Sequence, residues 1–405
     1  MADKDAIELI DKICALKNEA VVHDGDTVRF GTTDNDARRV REHLNMHARK
    51  LILTLQKPNM AVWDTIRRCA ILSPIKILQD VGVFRYLAGR ESATAKELAT
   101  ELGAEESLLI RMIRPLVAEG LFSEVGEEVY SLTVSGSPYA LPAFEDSITF
   151  SIAFMPVVMG NPSFFRNYGY REPVSHDGLN TPMAAYFQKP GYGFFDYLKD
   201  NPDIQKVFAS SMGAHTKSAN LSSSVYPYGE KLLLKKGEDE TGVAIVDVAG
   251  GTGVVLQEIL NRYPGIKGRM VTQDLQATFD TLTEKPQRIE LMAHDIFTEQ
   301  PIKGASAYHL KRILHDWSDG QSLMILKNIV SAMENGHSKL LVMDSIIPST
   351  SATFSQAMGD HSMMTFGGKE RNERQWRELL SSAGLKIVQI YVGPEPEALI
   401  ECEKV

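Results

Sequence analysis

Cysteine is scarce in this sequence: Cys14, Cys69 and Cys402 are the whole complement of a 405-residue chain. The number is odd and the spacings are long, so neither a disulfide scaffold nor a metal knuckle is expected, and a reducing compartment suits the chain. A basic excess is missing as well. Lys and Arg number 43 against 52 Asp and Glu, a net charge of −9. Such a chain is repelled by phosphate backbones and anionic lipid surfaces, which disfavours nucleic acid and membranes as partners. No uninterrupted apolar run reaches the roughly 18–20 residues of a spanning helix. Met1–Lys17 mixes charged and apolar residues, unlike the basic-then-apolar order of a signal peptide. No metal site is expected, because no two candidate ligands stand at the spacing of a closed site. There is no internal repeat and no low-complexity tract. Together these absences predict a soluble, cytoplasmic protein.

What is present is ordinary globular composition, 43% hydrophobic and 23% charged, in a chain long enough for two or three domains. Residues 1–60 read as a helical arm, with Ile7, Ile10, Ile13 and Leu16 at helical spacing. A polar stretch around Asp24–Asp36 interrupts the arm, and the pattern resumes at Leu51–Leu55. Within 61–140, Thr94-Ala-Lys-Glu97 reads as a capping box opening a helix over Lys96–Leu102 that Gly103 ends. A second helix follows over Glu106–Glu119, ended by Gly120. Phe122–Val125 and Val129–Leu132 then alternate like the two strands of a wing. The second helix begins with acids, where a DNA-reading helix needs basic and amide groups. A dimerisation and substrate-lid module is therefore favoured over a DNA-binding regulator.

Residues 141–235 are rich in Met, Phe and Tyr, as an adaptable apolar pocket or an interdomain core would be. Met155, Met159, Phe164 and Met212 are candidate pocket residues. From 236 to 405 strands and helices alternate. Val243–Val248, Gly268–Thr272, Ile289–His294, Ala305–Leu310, Lys339–Met343, Leu385–Val392 and Ala398–Glu403 read as strands. Val254–Tyr263, Gln321–Met333 and Gln375–Ser382 read as helices. Apolar strands alternating with helices predict an α/β, doubly wound parallel sheet.

The first of these strands runs into Asp247-Val-Ala-Gly-Gly-Thr-Gly253, where Gly250, Gly251 and Gly253 let a ligand approach the backbone. The G-x-G-x-x-G fingerprint fails, because the register from Gly251 puts Leu256 at the third position, and no Walker lysine follows. A pyrophosphate cofactor is thus disfavoured. Asp274 ends the second strand about 20 residues on, where a carboxylate can take both hydroxyls of a ribose. Asp295 can bond an adenine amino group while Ile296 and Phe297 pack on its ring.

With these residues assembled, the chain resembles the plant and fungal class of small-molecule O-methyltransferases, related to caffeic acid and flavonoid O-methyltransferases. The resemblance covers about Trp63 to Glu403. It rests on Val-Asp-Val-Ala-Gly-Gly-Thr-Gly253, Gln-Asp274-Leu, His-Asp295-Ile-Phe, Leu-His315-Asp-Trp-Ser-Asp319 and Gly-Gly-Lys-Glu370-Arg. It implies a Rossmann-like domain binding S-adenosyl-L-methionine, with Lys311 among its contacts, and an N-terminal helical winged-helix domain that forms a homodimer. Two positions depart from the family pattern. Ala249 replaces the first glycine of a triplet, a change the loop is expected to tolerate, and Arg312 replaces an aromatic residue near the adenine or the substrate.

Methyl transfer to a phenol or enol oxygen requires loss of its proton, and an imidazole titrates in the right range. His315 is the candidate base. The resemblance implies that two acids, Glu370 and Asp344, orient it; Asp344 is shorter than the glutamate usual there. Asp316 and Met363 join the candidate pocket. The expected activity is methylation of a hydroxylated aromatic or polyketide-like metabolite with a flat, apolar body. A cofactor-bound cyclase that steers a dehydration or cycloaddition without methyl transfer is the competing expectation, and retention of His315 argues against it.

Overall fold

The computed structural model describes residues 2–24, 27–30, 34–173, 179–219, 222–232, 241–280, 282, 284–392 and 397–405. The chain divides into two compact units, Met1–Pro156 with Asn201–His215, and Val157–Asp200 with Thr216–Val405. The expected boundary at 235/236 falls outside the described residues.

The first unit begins with helices Ala2–Ala20, Asp34–Leu55 and Pro58–Arg68. The polar stretch between the first two contains a hairpin, Val21–Asp24 against Thr27–Phe30. The winged-helix elements follow. Thr94 accepts the Glu97 N–H at 3.1 Å and the Glu97 carboxylate accepts the Thr94 N–H at 2.7 Å. This reciprocal cap opens helix Ala95–Leu102, and Gly103 in the left-handed region, φ 66°, closes it. Helix Glu106–Ala118 leads into antiparallel strands Phe122–Gly126 and Val129–Leu132. Leu78, Phe84, Leu98, Leu109, Ile113, Leu116 and Phe122 form the core of this unit, each contributing about 1.5–3 kcal/mol by leaving water.

Helix Pro142–Tyr168 corrects one reading of the sequence. By length and composition it is apolar enough to cross a membrane, with 22% of the residues in its most apolar window buried. Glu145, Asp146 and Arg166 flank the apolar stretch, and within it Ser147, Thr149, Ser151, Asn161 and Ser163 break the continuous apolar run.

The second unit is built on a sheet of seven long strands: β1 Val243–Val248, β2 Arg269–Asp274, β3 Ile289–Ala293, β4 Ala307–Lys311, β5 Lys339–Ile347, β6 Leu385–Val392 and β7 Glu397–Lys404. Their order is β6-β7-β5-β4-β1-β2-β3, and a two-residue strand, Arg371–Asn372, pairs with the end of β5. Four helices matter for the site: α1 Val254–Arg262, α2 Asp319–Ala332, α3 Phe354–Phe366 and α4 Glu373–Ser382. Alternate residues of each central strand bury against opposite layers. Val246, Tyr308 and Leu340 join one core with Ile325 and Trp376. Ile245, Ala307 and Leu341 join the other with Leu256 and Ile259.

The sheet is mixed, not wholly parallel, since β7 runs antiparallel to both neighbours. Four positions separate β6 from β7, too few for the crossover of a dozen or so residues that a parallel neighbour needs. The strand order reverses at β1, with β2 on one side and β4 on the other. Ligands of open α/β sheets bind at the carboxyl ends of the strands beside such a switch.

Candidate active site

The turn after β1 is shaped for close approach. A Cβ on Gly250 would lie 2.3 Å from Asp247 Oδ2 and 2.6 Å from Thr272 Oγ1, so no larger residue fits. Gly251 and Gly253 have φ 60° and 84°, and a Cβ on Gly251 would meet nothing within 4 Å. Ala249 also sits in the left-handed region, φ 55°. For a residue with a Cβ this costs on the order of 1 kcal/mol, so the departure from glycine is accommodated under strain. Asp274 Oδ2 accepts the Gly251 N–H at 2.8 Å, while Oδ1 accepts from Leu275 N at 2.8 Å and Thr278 Oγ1 at 2.7 Å. These bonds fix the carboxylate at the turn and leave one lone pair, on Oδ2, for a ribose hydroxyl.

Asp295 is exposed, and its Oδ1 accepts the Phe297 N–H at 2.9 Å, tightening the turn after β3. Ile296 and Phe297 are half-buried against the core. The Phe297 ring meets Trp317 edge-on at 4.8 Å, and Phe195 stacks over Trp317 at 5.9 Å. Lys311 ends β4 half-buried, and burial pulls its pKa down. Arg312, φ 54°, pairs with the buried Glu397 at the start of β7. Its charge is thereby engaged on the sheet.

His315 lies on a 3-10 turn, Leu314–Asp316. Its Nδ1 is 2.9 Å from Glu370 Oε1 and 3.4 Å from Asp344 Oδ1, and its Nε2 is 3.5 Å from Asp316 Oδ1. Burial works against the charged imidazole, but Asp344, Asp316 and Glu370 outweigh it and raise its pKa to about 10. Burial, helped by Glu370, pushes the Asp316 carboxyl up to about 6 against the opposing pull of His315. Burial likewise raises Asp344. The candidate ligand atoms of His315, Asp344 and Glu370 fall within 4.8 Å of one another, a spacing a cation could use. The 2.9 Å contact is a hydrogen bond in which Nδ1–H donates to Glu370.

Three residues without a role in the sequence reading hold this constellation. Arg371, fully buried, donates to Asp319 Oδ1 at 2.8 Å, Leu314 O at 2.8 Å and Trp317 O at 2.9 Å, clamping the turn that bears His315. Gly368 lets the neighbouring segment pass beneath that turn, since a Cβ there would lie 2.3 Å from the His315 carbonyl oxygen. Asp360 on α3 accepts the Glu370 N–H at 3.0 Å. The sequence signal was position alone: Gly368 and Arg371 lie within the Gly-Gly-Lys-Glu370-Arg motif.

The candidate pocket residues fall in both units. Met155 and Met212 belong to the first unit, and Met159, Phe164, Asp316 and Met363 to the second. Met159 is exposed, Phe164 is buried and stacks on Tyr168 at 4.9 Å, and Met363 is half-buried. A cavity of about 570 Å³ opens beside Glu370, but none of the six lines it; Phe165, Tyr170, Ile347, Met364 and Lys369 do.

This is a Rossmann-like sheet with a glycine turn for a nucleoside-bearing ligand and a histidine among three acids. Residues 170–386 match the O-methyltransferase domain family, and residues 63–140 match the O-methyltransferase dimerisation domain. The O-methyltransferase kntB of Aspergillus niger is 31% identical over 87% of this chain and 86% of its own. The O-methyltransferase asqD of Emericella nidulans is 34% identical over 82% of this chain and 86% of its own. Among solved structures, OxaC aligns over 100% of both chains with a TM-score of 0.85 and 26% identity. A structure described as a pericyclic reaction enzyme covers 98% of this chain and 99% of its own, with a TM-score of 0.81 and 25% identity. The chain belongs to the O-methyltransferase family. It is an O-methyltransferase, and its cofactor is S-adenosylmethionine.

Proposed function

We propose that His315 removes the proton from a hydroxyl of a hydroxylated aromatic or polyketide-like secondary metabolite, and that this oxygen is the one methylated. The observation that carries the reading is the 2.9 Å bond from His315 Nδ1 to Glu370, which fixes the ring and leaves Nε2 to meet the substrate. The neutral imidazole, the form that grows as pH rises toward 10, takes the substrate proton at Nε2, and Glu370, Asp344 and Asp316 stabilise the imidazolium that forms. A raised proton affinity suits phenols, whose own pKa is about 10. The cofactor, when bound, supplies an electrophilic methyl group on a cationic sulfur. Asp274 and the turn at Gly250, Gly251 and Gly253 would hold its nucleoside, with Asp247, Asp295, Ile296, Phe297 and Lys311 around them. Fungal relatives named as O-methyltransferases support transfer to an oxygen.

The same reading makes the protein a homodimer. Ile52, Leu53, Leu55, Val62, Trp63 and Ile66 are more than half exposed on two consecutive helices of the first unit, running into the matched dimerisation domain at residue 63. An apolar surface of this kind suits an isologous contact with a second copy. All three cysteines are free, in keeping with a cytoplasmic location.

Calorimetric titration with S-adenosylmethionine, followed by a labelled-methyl assay on a panel of phenols with wild type and His315→Ala, tests the catalytic reading. Binding with transfer that collapses in the variant is expected. Binding without transfer to any acceptor would favour the cyclase reading, in which the protonated imidazole holds a carbonyl. Sedimentation at micromolar protein tests the dimer, and a monomer would overturn it.

A further inference from the structure

His309 stands on β4, two residues before Lys311, and is fully buried. The central strands of a sheet covered on both faces are ordinarily apolar throughout. Here Asp247 on β1 pairs in register with Thr272 on β2 and with His309 on β4. The three side chains form a polar row across the middle of the sheet, none more than 1% exposed. His309 Nδ1 is 2.8 Å from Asp247 Oδ1. Among the described residues, Asp247 Oδ2, Thr272 Oγ1 and His309 Nε2 have no hydrogen-bond partner. Buried polar groups are costly unless paired, so a merely structural row is better served by valine and leucine. The row has one neighbour of consequence. Asp247 Oδ2 and Thr272 Oγ1 lie directly against Gly250, at 2.3 and 2.6 Å from where its Cβ would be.

We infer that His309 is a positioning residue for the cofactor: its imidazole donates from Nδ1 to Asp247 Oδ1, locks the carboxylate rotamer, and so fixes the height of the glycine turn that Asp247 Oδ2 supports. The inference rests on the reading of that turn as the cofactor site. Without the imidazole, Asp247 would be a buried carboxylate free to rotate toward other donors, and Gly250 would lose its rigid floor. Thr272 provides the second point of that floor from the adjacent strand.

Calorimetry with S-adenosylmethionine and with S-adenosylhomocysteine separates this inference from the reading beneath it. Wild type that binds neither ligand would sink the assignment of the turn itself. If wild type binds, His309→Phe is expected to weaken both ligands about tenfold or more, the scale set by leaving a buried polar group unpaired. His309→Asn, whose carboxamide can still donate to Asp247, is expected to stay within about threefold of wild type. His309→Phe should add nothing further in an Asp247→Asn background, because the two act as one unit. A His309→Phe protein that folds and binds as wild type overturns the inference, and so does equal weakening by Phe and Asn, which would mark a packing role. A readout on the unaltered protein stands apart from variant folding. The His309 ring nitrogens, followed by NMR, should show an Nδ1-protonated imidazole that shifts on saturation with S-adenosylhomocysteine, and an insensitive ring would overturn the proposal.

Discussion

The Arg371 guanidinium donates to the carbonyl oxygen of Leu314 from 2.8 Å, and through it the segment that carries Glu370 is tied to the turn that carries His315. Base and orienting acid come from segments 55 residues apart, so their 2.9 Å contact depends on this tie as much as on the sheet.

Replacing Arg371 by methionine keeps much of the volume but leaves the carbonyls of Leu314 and Trp317 with longer contacts, from Ser322 Oγ at 3.2 and 3.4 Å and, for Leu314, from the Trp317 N–H at 3.3 Å. A loss of about 2–4 kcal/mol is expected, together with a fall in methyl transfer, since the turn is no longer held. Denaturant unfolding measures the first. A cost under about 1 kcal/mol would show that the clamp is not structural.

The charge of His315 makes a second prediction. Its pKa is raised to about 10 in the folded protein, against about 6.5 in an unfolded chain. The stability it contributes is therefore complete below about pH 6.5 and lost as pH rises toward 10. Glu370→Gln removes one of the acids that hold the proton. The titration midpoint of His315 by NMR should move down, and methyl transfer should fall about a hundredfold as the ring loses its orienting partner. An unmoved midpoint would show that Glu370 does not set the charge of His315.

Ala249 predicts a gain. Its φ of 55° costs on the order of 1 kcal/mol, which glycine does not pay, although glycine loses more entropy on folding. Ala249→Gly should stabilise the cofactor-free protein by up to about 1 kcal/mol. A lowered melting temperature would contradict the assignment of strain.

Gly250 and Gly251 should respond to alanine for different reasons. At Gly250 the added carbon collides with Asp247 and Thr272, whereas at Gly251 it enters open space under a φ of 60°. Gly250→Ala is expected to abolish cofactor binding. Gly251→Ala should fold, at a strain cost of about 1–2 kcal/mol, and lose affinity only to the extent that the cofactor occupies that space. Equal binding by wild type and Gly250→Ala would remove the turn from the cofactor site.

The sequence alone determined the strands of the Rossmann-like sheet to within a few residues, the Thr94 capping box, the winged-helix order and the glycine turn. Each is encoded locally: by hydrophobic period, by a side chain that can reach its own helix end, or by residues that alone tolerate positive φ. His315, Glu370 and Asp344 were legible as a group only through their motifs, because nothing in the spacing of positions 315, 344 and 370 states that they converge. Tertiary structure decided the rest. It reversed β7, whose connection from β6 is too short to cross over. It turned Arg312 onto Glu397 and put Phe297 against Trp317. It aligned Thr272, Asp247 and His309 in one row, a relationship between three strands that only their register creates.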